Sequence, residues 1–279
     1  YIDWEDVMAR SRARDMNYPL SHTAYMGKRP DLSYLATTLN KYFQYPYNQL
    51  SEAQKTLTPA QFQERLKPVI DQWQQQADSL CRLYAPSQKA VSLIRNQTGM
   101  TYFDFQMDRS YYAQQDTTNQ ILKVQPDASY YDFLKEMPLN EQSVLVNYDT
   151  EFFINRFEYM GPLSISLQEQ INMQNDEAFQ ALPSEERQLQ LQLRFSEKKD
   201  SIVNNLCATP SPLLWQIARV RNLHFMLSDV LKQRQYAEAF LTQLEKTVTD
   251  PYLRATAREM LEERFPDTPT TSYQLPEGK

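Results

Sequence analysis

Two carboxylates, Asp104 and Asp108, stand four residues apart among Tyr102, Phe103, Phe105, Tyr111 and Tyr112. On a helix that spacing puts both on one face, and paired carboxylates beside aromatic rings are the equipment of glycoside hydrolysis or sugar binding. Against that stand Arg109, next to Asp108, and the rule that glycosidase carboxylates usually come from separate elements. The preferred reading is an ordinary, non-catalytic pair of carboxylates on a helix. A second aromatic set, Tyr130, Tyr131 and Phe133 followed by Phe152, Phe153, Phe157 and Tyr159, would stack on sugar rings if exposed, with core packing the favoured reading.

His22 and His224 could form a site with a carboxylate, but nothing in the sequence brings them together. His224 falls one step off the apolar stripe of its helix and reads as a packed or hydrogen-bonded side chain. Cys81 sits on an apolar stripe, where a neutral thiol behaves as a small hydrophobe of raised pKa. Cys207 follows Asn204, Asn205 and Leu206 at an expected helix end, a more accessible place, and is open to reaction or to a disulfide with Cys81. No Gly-x-Ser-x-Gly or His-Glu-x-x-His arrangement is present. The sequence therefore assigns no catalytic, cofactor-binding or metal-ligating residue.

Composition narrows the classes further. The 279 residues are 41% hydrophobic, 23% charged and 12% aromatic, too aromatic for a disordered chain and long enough to bury a substantial core. Only four glycines occur, at 27, 99, 161 and 278, so no phosphate-cradling loop exists and P-loop and Rossmann readings fail. The net charge of −6 and pI near 5.2 argue against a surface that neutralises nucleic acid. The basic cluster Arg10, Arg12 and Arg14, bracketed by Glu5, Asp6 and Asp15, reads as a solvated stretch. No run approaches the roughly 20 apolar residues of a membrane span.

The elements that must position these residues read as helices, because Gln, Glu, Leu, Ala and Arg lose little rotamer freedom there. From Phe62 the apolar positions Leu66, Val69, Ile70, Trp73, Ala77, Leu80, Cys81 and Tyr84 recur at steps of three and four. Thr58, Pro59 and Gln61 predict the start of that helix, with Pro68 expected to kink it. Pro86-Ser87, Pro183-Ser184, Ser211-Pro212 and Asp250-Pro251 mark further starts, with Ser184 and Ser211 as expected caps. A short helix is expected around Leu32 to Phe43, a long one from Val91 to Tyr112, and shorter ones at Ser129 to Glu136 and Thr150 to Met160. Leu189, Leu191, Leu193 and Phe195 alternate as a strand would, but helix formers run unbroken from Ser184 to Leu206, and helix is the reading taken. The fold class expected is all-α, an irregular antiparallel helical bundle or helical-hairpin array, with residues 1–30 an N-terminal segment, 31–265 the helical domain and 266–279 a linker.

Several stretches together resemble a known family: Ser129-Tyr130-Tyr131-Asp132-Phe133-Leu134-Lys135, Phe153-Ile154-Asn155-Arg156-Phe157-Glu158-Tyr159-Met160, Pro212-Leu213-Leu214-Trp215-Gln216-Ile217-Ala218, and Tyr273-Gln274-Leu275-Pro276-Glu277-Gly278-Lys279. They are similar to the helical region preceding the thioredoxin-like domain of TlpA-type thiol:disulfide interchange proteins of the bacterial cell envelope. The resemblance implies a thioredoxin-like domain in cis after Lys279, carrying the Cys-x-x-Cys that does the redox chemistry. Neither Cys81 nor Cys207 inherits that role. It also implies an envelope location, either periplasmic or lipid-anchored through a segment before Tyr1, and a helical module that binds a client or positions the redox domain. The alternative is an envelope glycan-binding or scaffolding protein whose platform exposes Tyr102, Phe105, Tyr111, Tyr130 and Tyr131.

Overall fold

Thr58 begins the clearest helix as its residue types dictate. The backbone N–H of Gln61 donates to Thr58 Oγ1 (3.4 Å), and the N–H of Thr58 donates to Gln61 Oε1 (3.0 Å), closing a reciprocal capping box. The computed structural model describes residues 47–146, 150–163, 171–172 and 175–266, and among these every regular element is a helix. In chain order they are α1 (Tyr47–Thr56), α2 (Pro59–Tyr84), α3 (Gln88–Gln115), α4 (Thr150–Glu158), α5 (Glu177–Gln180), α6 (Ser184–Leu206), α7 (Leu213–Phe225), α8 (Arg234–Thr247) and α9 (Pro251–Arg264). Short 3-10 helices fall at Ala128–Lys135, Gln142–Val146 and Gly161–Leu163, and a π-helical turn at Met226–Val230 extends α7. The protein is all-α. Among the described residues no helix is long and apolar enough to cross a membrane.

The helix starts divide between two kinds of cap. Ser87 accepts from Ala90 N–H at the head of α3, and Asp250 accepts from Leu253 N–H (3.0 Å) at the head of α9, with Pro251 at the first helical position. Ser184 and Ser211 do not cap. Ser184 is already helical, after Pro183, and makes no cap bond. Ser211 lies before α7 at φ 43, where its hydroxyl instead donates to Thr247 O (2.6 Å). The first N–H groups of α7 are satisfied from elsewhere, Leu213 by Asn140 Oδ1 (2.9 Å) and Leu214 by Leu139 O (3.1 Å). α2 runs on through Pro68. The stretch expected to be helical at Ser129 to Glu136 is a 3-10 helix, and α6 confirms helix over the alternating leucines. The expected helix at Leu32 to Phe43, the Arg10 to Arg14 cluster, His22 and the 267–279 tail lie outside the described residues.

The chain divides into two compact units, one in Tyr1–Tyr130 with Glu141–Arg156, the other in Tyr131–Asn140 with Phe157–Lys279. In the first, α1, α2 and α3 pack mutually around Leu50, Phe62, Leu66, Ile70, Trp73 and Phe105. In the second, α7, α8 and α9 pack on one another and α6 on α8, around Leu223, Met226, Leu231, Phe240, Leu244 and Val248. Buried Gln216 holds the α8–α9 turn, its Oε1 accepting from the N–H groups of Thr249 (2.8 Å) and Asp250 (2.9 Å).

Candidate functional site

In the first unit Asp108 is buried and pairs with Arg156, while Asp104 is half-buried. Burial pushes the Asp108 carboxyl up, against the pull of Arg156. Arg109, 3% exposed, turns away to the carbonyls of Gln54 (3.1 Å) and Leu57 (2.8 Å) at the end of α1 and of Ile121 and Val124 beyond α3. Its guanidinium is a clasp on chain ends that lack helical donors. Asp108 thus makes a buried structural ion pair.

The aromatic platform of the alternative reading is dismantled by burial. Phe105, Tyr130 and Tyr131 are 4%, 3% and 3% exposed, and Tyr102 is half-buried. Tyr130 spends its hydroxyl on Gln106 O (2.9 Å). Phe133, Phe153 and Phe157 are buried too, while Phe152 and Tyr159 are exposed. Tyr111 belongs to the positions whose side chains are not described. Stacking on a sugar needs open ring faces, and the buried rings offer none.

Both cysteines are free, so the disulfide alternative is not realised. The two also exchange the environments expected for them. Cys207, expected to be accessible, is buried in the second unit, and burial pushes its thiol up to about 12. Cys81, expected to be buried, is only half-buried beside Ala77 and Ile94, its pKa raised by burial and then by the nearby Asp78. The reason lies at the C-terminus of α6, where Cys207 N–H still bonds Val203 O (2.9 Å) and the chain folds back on the helix before Ser211. His224 is exposed on α7. Among the described residues no group of His, Cys, Asp and Glu is arranged to hold a metal ion.

The second unit does bring ionisable groups together, at a cavity of about 50 Å³. From α6 come Gln192, Phe195, Ser196 and Lys199, and from α7 come Trp215, Ala218, Arg219 and Asn222. Each set has the one-face spacing of two helical turns. Glu158, at the end of α4, completes the lining. Small Ser196 and Ala218 face the space that larger side chains would fill.

The charges there are paired unevenly. Asp200 accepts from Trp215 Nε1 (2.7 Å) and stands 3.3 Å from Arg219 Nε. Arg219 donates through Nη1 to Ser196 Oγ (2.9 Å), and its buried Nε–H has no hydrogen-bond acceptor. Glu158 accepts from Arg221 (2.6 Å). Lys199 lies over the Tyr159 ring at 5.8 Å, and among the described residues its ammonium has no carboxylate within ion-pair reach. Desolvation pushes Asp200 up and both Lys199 and Arg219 down, with Arg219 further depressing Lys199 and the carboxylates opposing.

None of these residues was named from the sequence as a candidate. The available signal was the spacing Ser196-Glu197-Lys198-Lys199, with Arg219 in the next helix; it is a Ser-x-x-Lys arrangement, which corrects the expectation that the chain has none. The geometry does not make it a nucleophile and base, because the Ser196 hydroxyl is held by Arg219 and the Lys199 ammonium sits on Tyr159. Comparison of the chain with protein-family models, with curated proteins and with solved structures gives no match.

Proposed function

We propose that this chain is a non-catalytic helical module of a TlpA-type envelope thiol:disulfide interchange protein, which holds a thioredoxin-like domain in place or presents a client to it. The observation that carries this reading is the contact of Phe157 with Trp215, edge to face at 5.5 Å and 70°. The rings belong to two of the stretches that carry the resemblance, and in the same unit Leu139 O and Asn140 Oδ1 receive the first N–H groups of Pro212-Leu213-Leu214. The resembling residues are therefore the packing and capping residues of a helical body. That suits a module whose contribution is positional, since a client held near a tethered redox domain meets its cysteines at an effective concentration reaching the millimolar range. The inert environment of Cys207 fits the same reading.

The test is insulin-disulfide reduction with a dithiol reductant, run on the isolated chain and on whatever longer polypeptide its natural reading frame encodes. The expected outcome is no catalysis by the first and turnover by the second. Turnover by the isolated chain, or a continuation without Cys-x-x-Cys, overturns the reading.

A further inference from the structure

The cavity between α6 and α7 carries more cationic than anionic character. Of the side chains that line it, Lys199 and Arg219 are cationic and Glu158 is anionic; with their partners Arg221 and Asp200 included, three cations meet two carboxylates, which leaves one positive charge unbalanced. Arg221 and Glu158 are matched to each other, and Asp200 is held by Trp215 and Arg219. What remains is the Arg219 Nε–H, buried and 3.3 Å from Asp200 but without a hydrogen bond, and the half-buried Lys199 ammonium. Leaving such donors desolvated is costly unless an acceptor joins them. The outward Glu197 does not serve, since it accepts from Gln243 (2.9 Å) on the exposed side of α6.

We propose that this cavity binds a short-chain carboxylate, its oxygens received by Arg219 and Lys199 and its carbon end lying against Phe195 and Ala218. Size and charge select this class. A space of about 50 Å³, at roughly 10–15 Å³ for each water-sized position, admits about four non-hydrogen atoms, the size of acetate. A single negative charge neutralises the site, and a planar head matches a guanidinium edge. Phe195, Trp215 and Ala218 give an apolar surface among the polar Gln192, Ser196 and Asn222, and a carbon substituent can lie against it. This inference is independent of the redox-module reading, because it concerns a ligand held inside one unit and not what that unit is attached to.

The experiment titrates the full chain with sodium acetate and follows the acetate methyl protons by saturation-transfer NMR, with sodium chloride keeping ionic strength constant. Saturable transfer is expected, competed by formate and propionate and not by sulfate at equal ionic strength. Lys199→Met, which removes a cation without an ion-pair partner, is expected to keep the parent's circular dichroism and to weaken acetate binding by about tenfold or more. Transfer that does not saturate in the parent overturns the proposal without reference to any variant. So do equal competition by sulfate and a folded Lys199→Met chain that binds acetate as the parent does.

Discussion

Trp215 donates its indole N–H to Asp200 across 2.7 Å, joining α7 to α6 where both side chains are buried. The bond does two things: it satisfies an indole that the core has removed from water, and it supplies a neutral donor to a carboxylate whose cationic partner, Arg219, makes no hydrogen bond from Nε. Trp215→Phe keeps an aromatic body and removes the donor. A loss of about 1–3 kcal/mol is expected from the unsatisfied carboxylate, with a further share from lost volume. Urea unfolding measures it, and a variant within about 0.5 kcal/mol of the parent would show that the bond carries little.

The same carboxylate sets a pH dependence whose sign is opposite to that of an ordinary ion pair. Burial pushes Asp200 up by more than Arg219 and Trp215 pull it down. The folded chain then holds this proton more tightly than the unfolded one, so its contribution is fully present below the ordinary carboxylate pKa of about 4 and is lost as pH rises through the raised folded value. The parent's stability minus that of Asp200→Asn should therefore fall as pH is raised from the acid side towards neutrality. A difference that grows over that range would mean that Arg219 dominates after all.

Helix type and most helix bodies were legible because apolar residues recur at steps of three and four, and Thr58 and Asp250 announce their helices with side chains that reach the N–H groups they should. Ser184 and Ser211 look the same in sequence and do something else: Ser184 already lies inside α6, and a tertiary acceptor, Thr247 O, takes the Ser211 hydroxyl. α1 escaped notice since its inward positions include Gln54 beside Leu50, which leaves no apolar stripe to read. α8 lacks a capping side chain at Gln233. The cavity was the least legible part. Glu158, Asp200 and Arg219 are residue types that normally face water, and only the packing of α6 against α7 shows that they do not.

Arg109 gathers carbonyls of Gln54, Leu57, Ile121 and Val124 that helix ends and turns leave without donors. Arg109→Met retains much of the stem and strips the donors from these buried acceptors, and a loss of about 3 kcal/mol is expected. Arg109→Lys should recover less than half of it, since one ammonium cannot reproduce a planar fork. Equal stability of the lysine variant and the parent, by thermal or urea unfolding, would remove the clasp argument.

The caps give a comparison within one chain. Thr58→Ala and Asp250→Ala each delete a bond to a first-turn N–H and should each cost about 1 kcal/mol. Ser184→Ala deletes no cap bond and replaces a first-turn serine by the best helix former, so its change should stay within about 0.5 kcal/mol and lean towards stabilisation. A Ser184→Ala loss as large as that at Thr58 would contradict the placement of the α6 boundary.

Thiol chemistry should separate the two cysteines. A Cys207 thiol pushed up to about 12 is ionised at pH 8 to only about one part in ten thousand, and the thiolate is the reacting species; its burial adds a steric barrier. Cys81 is half-buried, and its pKa is raised by burial and by Asp78, so it should react more slowly than a free thiol but without unfolding. Alkylation at pH 8 followed by peptide mass spectrometry should find Cys81 modified first and Cys207 untouched until urea passes the unfolding midpoint. Modification of Cys207 in the native chain at the rate of Cys81 would place that thiol at the surface and reopen a redox role for it.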